Sequence, residues 1–146
     1  MYILCIYSTI ERIKKLKKCK IKEVHDKKYY CYFELALQII GGKWKSIILY
    51  HLGKEKVLRY GELKKKMPNI TEKMLTQQLK DLQKDNMVLR KMYHQVPPKV
   101  EYSLTPFGDT VMPALLKLRD WGITFEKEFD LSRKYEGDQD YEQVDD

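Results

Sequence analysis

The sequence predicts a mainly α fold with a small β-hairpin, an α+β winged helix-turn-helix, and three observations carry that prediction. Two helical stretches, residues 60–67 and 71–85, lie a few residues apart, the second with an apolar stripe. A basic hairpin with Pro97-Pro98 at its tip follows directly. A long apolar helix starting at Thr105-Pro106 comes after it.

The elements follow from the residues in order. Residues 34–40 read as helix, with Leu35, Ile39 and Ile40 apolar, and Gly41-Gly42 breaks it. Residues 43–52 form a second helix in which Trp44, Ile47, Ile48 and Leu52 recur at helical spacing, and Gly53 is expected to end it. Val57-Leu58 reads as a short strand. Residues 60–67 form a third helix closed by Pro68. Thr71 caps a fourth helix that runs to about residue 85, with Leu75, Leu79 and Leu82 as its inward stripe. Placing residues at about 100° intervals gathers Lys73, Thr76, Gln77, Lys80 and Lys84 on the opposite face.

Residues 88–93 are a strand. Beyond the tip, Val100, Tyr102 and Leu104 alternate with Lys99, Glu101 and Ser103, the period of a half-buried strand. Two adjacent prolines donate no ladder hydrogen bonds, so they belong to the turn. In the last helix Thr105 is the N-cap and Pro106 fits the first helical position. Val111, Leu115, Leu118 and Phe125 repeat along it with Trp121 beside them, a stripe too long to be spent on a small winged domain alone. Pro113 should bend this helix or split off its first turn.

Charge points to the partner. The net charge is +7 with a sequence pI near 9.2, but residues 129–146 carry seven acidic and two basic side chains. A basic body facing an anionic partner most often means nucleic acid. Residues 1–28 read as a basic extension, within which residues 11–22 form either a basic helix or a loosely ordered arm. From Asp130 onward the tail is acidic and poor in apolar residues, as disordered tails are. No apolar run reaches the roughly 18 residues that span a bilayer, and the apolar start followed by positive charge is the reverse of an export signal. The expectation is therefore a cytoplasmic, nucleoid-associated protein without a membrane partner.

Three cysteines without a close pair argue against a disulfide framework, and three scattered histidines show no metal-ligand spacing. With no phosphate loop and no nucleophile elbow, the reading is no enzyme, no cofactor and no metal.

The physics of DNA reading fits the residues. The major groove admits one α-helix, and side chains near its N-terminus reach base edges. Thr71, Lys73, Thr76 and Gln77 occupy the first two turns of the fourth helix, with Lys80 one turn on. Glutamine can pair bidentately with adenine, and lysine can reach guanine or phosphate. Arg59 and Lys99 are placed for backbone contacts, with Val96, Pro97 and Pro98 as the wing tip. Lys84 and Lys91 read as ordinary solvated surface.

From Cys31 to about Gly122 the chain resembles the HxlR family of bacterial winged-helix regulators, relatives of the MarR group. The resemblance rests on Cys31-Tyr32-Phe33-Glu34 with Ile40-Gly41-Gly42-Lys43-Trp44. It rests equally on Arg59-Tyr60-Gly61-Glu62-Leu63 with the segment from Ile70 to Leu79, and on Val96-Pro97-Pro98-Lys99-Val100-Glu101-Tyr102 with Leu104-Thr105 and Gly108. It implies a homodimeric, sequence-specific repressor that binds double-stranded DNA at an inverted-repeat operator. It also implies that the first and last helices build the dimer, through Leu35 and Ile39 and through Val111, Leu115, Leu118, Trp121 and Phe125. A two-fold dimer sets its reading helices about 34 Å apart. The alternative is a winged-helix module that binds protein rather than DNA.

Members of the family often carry a cysteine at the position of Cys31, and in some it senses electrophiles or oxidants. Cys31 is therefore the redox candidate, although Tyr32 stands where proline is common. The resemblance divides the chain into the extension (1–28), a DNA-binding and dimerisation domain (29–129) and the acidic tail (130–146). The operator, the target genes and any small-molecule effector are not written in the residues.

Overall fold

The segment after Lys20 opens with a hairpin that periodicity does not announce. β1 (Lys22–Val24) pairs antiparallel with β2 (Lys27–Tyr29) in the register Val24 to Lys27, which leaves His25 and Asp26 as a two-residue turn. His25 takes a positive φ of 53°, as tight hairpin turns require. The computed structural model describes residues 20–129, so most of the basic helix expected over residues 11–22 lies outside them; Lys22, at its end, is strand. The acidic tail also lies outside the described residues. The expected junction after residue 28 falls inside β2.

The described residues divide into two compact units, one ending at Ile40 and the other beginning at Gly41. In the first, α1 (Tyr32–Ile40) begins two residues earlier than expected because Cys31 caps it. The Cys31 carbonyl accepts from Leu35 N–H at 3.2 Å, and its sulfur accepts from Glu34 N–H at 3.4 Å. Gln38 donates to the Lys28 carbonyl at 2.7 Å and Tyr29 packs on Tyr32, which ties helix to hairpin. No residue of α1 is buried.

In the second unit, α2 (Lys43–Glu55) starts from Gly42, whose φ of 80° suits glycine. Gly53 does not end it, contrary to expectation; the cap is Lys56, whose N–H reaches the Leu52 carbonyl at 2.9 Å. Gly53 is buried beneath Met112, and a β-carbon there would collide with the methionine sulfur. Close approach of helices, not helix termination, explains this glycine.

β3 (Val57–Arg59), α3 (Tyr60–Lys66), α4 (Glu72–Lys84), β4 (Val88–Tyr93) and β5 (Lys99–Leu104) follow. The strands form one antiparallel sheet in the order β3-β5-β4, so the hairpin gains a third strand. The fully buried side chains Ile48, Leu49, Leu52, Leu63, Leu75, Leu79 and Leu82 come from α2, α3 and α4, and Leu58, Val88 and Tyr102 extend this core onto the sheet. Truncating one such leucine to alanine costs about 2–5 kcal/mol.

Thr105 closes the winged unit. Its hydroxyl donates to the Asn86 carbonyl at 2.6 Å and accepts from Gly108 N–H at 2.8 Å, starting the single turn α5 (Pro106–Asp109). α6 (Met112–Phe129) then packs its first turns on α2, through Met112 over Gly53 and the buried Leu115, with Pro113 in its first turn. Of the two outcomes expected for Pro113, a split-off turn is the one observed.

Candidate nucleic-acid interface

The reading helix is built from its cap outward. The Thr71 hydroxyl accepts from Met74 N–H at 3.2 Å, satisfying one of the N–H groups that a helix start leaves open. Ahead of it, Met67 and Ile70 are buried and joined by a backbone bond of 3.1 Å, which fixes the turn between α3 and α4. Leu75, Leu79 and Leu82 are inside, so Lys73, Thr76, Gln77 and Lys80 are presented outward, and all four are exposed.

Two of these are held by neighbours that sequence reasoning missed. The Thr76 hydroxyl lies 3.2 Å from the Tyr60 hydroxyl, which also reaches the Glu72 carbonyl at 3.2 Å. The Gln77 amide donates to Asp81 at 2.9 Å, one turn on. The i,i+4 spacing of Gln77 and Asp81 is a signal that could have found the second pair; nothing in the spacing of Tyr60 and Thr76 announces the first. Lys73 and Lys80 form no ion pair among the described residues.

Arg59 ends β3 and caps α3. Its backbone N–H is taken by Glu62 at 2.6 Å, and the residue is exposed. The wing tip is open: Val96, Pro97 and Pro98 are exposed, and the Val96–Pro97 bond is cis.

Lys99, expected to contact the DNA backbone from the wing, is ion-paired in this structure. It begins β5 and its ammonium pairs with Glu101 at 2.7 Å, with only a quarter of its side chain exposed. Tyr93 donates to the other Glu101 oxygen at 3.0 Å, and both Lys91 and Lys99 sit over the Tyr93 ring, 4.8 and 4.7 Å from its centroid. The physical reason is strand periodicity: residues 99 and 101 share one face, directly across from Tyr93 and Lys91 on β4 and, at Glu101, from Arg59 on β3. The hydrogen bond from Lys99, helped by Tyr93 and by the Lys99 and Arg59 charges, holds the Glu101 carboxyl below its usual range.

Among the residues expected at a dimer interface, Leu118, Trp121 and Phe125 are exposed on α6, while Val111 and, in the first unit, Leu35 and Ile39 are half-buried. Leu115 departs from expectation: it is 4% exposed and belongs to the core of its own unit. Phe129, missed by sequence reasoning, is 75% exposed and continues the Trp121–Phe125 contact with a ring spacing of 4.7 Å. Cys31 is exposed.

The profile of the HxlR-like helix-turn-helix family matches residues 39–130. The chain belongs to that family. This HxlR-type chain is 57% identical over 95 residues to the provisionally named regulatory protein MalR of Fusobacterium mortiferum, covering 65% of this chain and 90% of the relative. It is 51% identical over 102 residues to the uncharacterized HTH-type transcriptional regulator YdeP of Bacillus subtilis, covering 68% of this chain and 77% of that one. Among solved structures, the redox regulator HypR in its reduced form superposes with a TM-score of 0.65 at 44% identity, over 69% of this chain and 99% of that one. An HxlR-type chain of this kind is a helix-turn-helix transcriptional regulator and not an enzyme. No helix among the described residues is long and apolar enough to cross a membrane.

Proposed function

We propose that this chain is a homodimeric, sequence-specific repressor that docks α4 in the major groove of an inverted-repeat operator and lays its wing on the adjacent backbone. The observation that carries this is the division of α4: a buried leucine stripe on one side and Lys73, Thr76, Gln77 and Lys80 exposed on the other, beginning at a capped N-terminus. In this reading Thr71 and Arg59 add contacts beside that face, and Lys99 adds one through the wing. Gel shift against the DNA upstream of its own gene is the test; absence of salt-sensitive binding there and at other sites of its genome refutes the reading.

The dimer is proposed on the exposed aromatic ladder Trp121, Phe125 and Phe129 of α6, an apolar face of a kind that monomers rarely leave open. Trp121→Asp should sediment as a monomer; a variant with wild-type mass refutes that interface.

A redox input at Cys31 is part of the proposal. The sulfur is exposed at the start of α1 with a hydrogen bond from Glu34 N–H, and the similar protein HypR is described in oxidised and reduced forms. A cytoplasmic, nucleoid-bound location goes with this reading, as does the division into an extension (1–28), a DNA-binding and dimerisation domain (29–129) and an acidic tail (130–146).

A further inference from the structure

Glu101 is an acidic residue at the centre of the cationic face of the wing. It lies on the middle strand, with Arg59 opposite it on one side and Lys91 on the other. Its two oxygens are both engaged, one by the Lys99 ammonium at 2.7 Å and one by the Tyr93 hydroxyl at 3.0 Å. An ammonium, a phenol O–H and a guanidinium in register are the donors from which DNA phosphates accept. Three cations around one carboxylate leave the face net positive, so it still draws a polyanion. Both partners of the Lys99–Glu101 pair lie at the surface, with 25% and 19% of their side chains exposed, so the pair can open without unpacking the core.

We propose that Glu101 holds the place of a backbone phosphate in the DNA-free wing, and that DNA takes Lys99 and the Tyr93 hydroxyl from it. The inference rests on the reading of the wing as a DNA-contacting face. Glu101 then acts as a built-in counter-charge: a phosphate must displace it, which weakens binding through the wing alone and leaves selection to the contacts of α4. The opposite role for the same geometry is a positioning one, in which Glu101 aims Lys99 at the phosphate and loses nothing when DNA arrives.

The two roles differ in the sign of a coupling. Fluorescence anisotropy of the full chain reads binding to a labelled duplex from its own upstream region and to a random duplex of equal length, across a salt series. Glu101→Gln should bind both more tightly, on the order of three- to tenfold at low salt, with a log–log salt slope steeper by about 0.9. Lys99→Met should cost more in the Glu101→Gln background than in the wild type. Weaker or unchanged binding by Glu101→Gln overturns the proposal, as does a Lys99→Met cost that shrinks in that background. Should Glu101→Gln lose its fold by circular dichroism, Glu101→Thr, a strand-favouring residue, repeats the measurement with the same expected signs. A wild-type chain that binds neither duplex overturns the DNA reading and this inference together; a wild-type chain that binds while the variant gains nothing overturns this inference alone.

Discussion

The Tyr60 hydroxyl lies 3.2 Å from the Thr76 hydroxyl oxygen and 3.2 Å from the Glu72 carbonyl, so the first residue of α3 is tied to the first two turns of α4. The exposed face of a reading helix is useful only if the helix is aimed, and this tie joins the two members of the helix-turn-helix near the end that reaches the bases. Tyr60→Phe keeps the ring and removes both contacts. It should lower stability by about 0.5–1.5 kcal/mol, the net worth of such bonds, and weaken operator binding several-fold. Thermal unfolding and anisotropy check it; unchanged operator affinity would show that α4 is aimed by its leucine stripe alone.

Gln77 is held by Asp81 at 2.9 Å, which keeps its amide along the helix in the DNA-free protein. Gln77→Ala should lose about 1–3 kcal/mol of discrimination at one base pair while random-sequence binding stays the same. Asp81→Ala removes a negative charge from the reading face, so it should tighten binding to all sequences and leave the preferred base unchanged. Selection from a randomised duplex pool reads both. A Gln77→Ala pool with the wild-type consensus would remove glutamine from the readers.

Gly108 backs directly onto the Met87 carbonyl, and a β-carbon there would overlap the backbone. Backbone cannot yield as the Met112 side chain over Gly53 can. Gly108→Ala should therefore destabilise by about 1–3 kcal/mol or more, and Gly53→Ala by less. Urea unfolding ranks the two; the reverse order would contradict the packing described for Thr105 and α5.

Cys31 should make DNA release sensitive to oxidant. Diamide, or a quinone that adds to the sulfur, should dissociate the complex, and Cys31→Ser should bind DNA normally and ignore the treatment. A serine variant that still responds assigns the sensitivity elsewhere and leaves the DNA reading intact.

What could be read from the residues alone was governed by local period and local chemistry. The stripe Leu75, Leu79, Leu82 and the caps Thr71 and Thr105 are each set by neighbours within a turn, and the structure places them as expected. Gly53 was misread because its reason, Met112, lies far along the chain. The β1–β2 hairpin is three residues a side, too short for a period to show. The partners of Lys99 were not read because strand register sets them: Glu101 is two residues on, and Tyr93 lies across the turn. In the candidate site, the exposed face of α4 was legible from helical spacing, whereas the Tyr60–Thr76 tie depends on how two helices cross.

The most direct test of the central claim is a competition experiment on the full chain. A labelled duplex from its upstream region is bound in the presence of excess random duplex, over salt from roughly 0.05 to 0.2 M. The expected result is a complex that survives competitor, protects an inverted repeat with half-sites about one helical turn apart, and weakens linearly in log–log salt. A complex that random duplex removes at equal concentration, or no complex at any salt, would contradict the account.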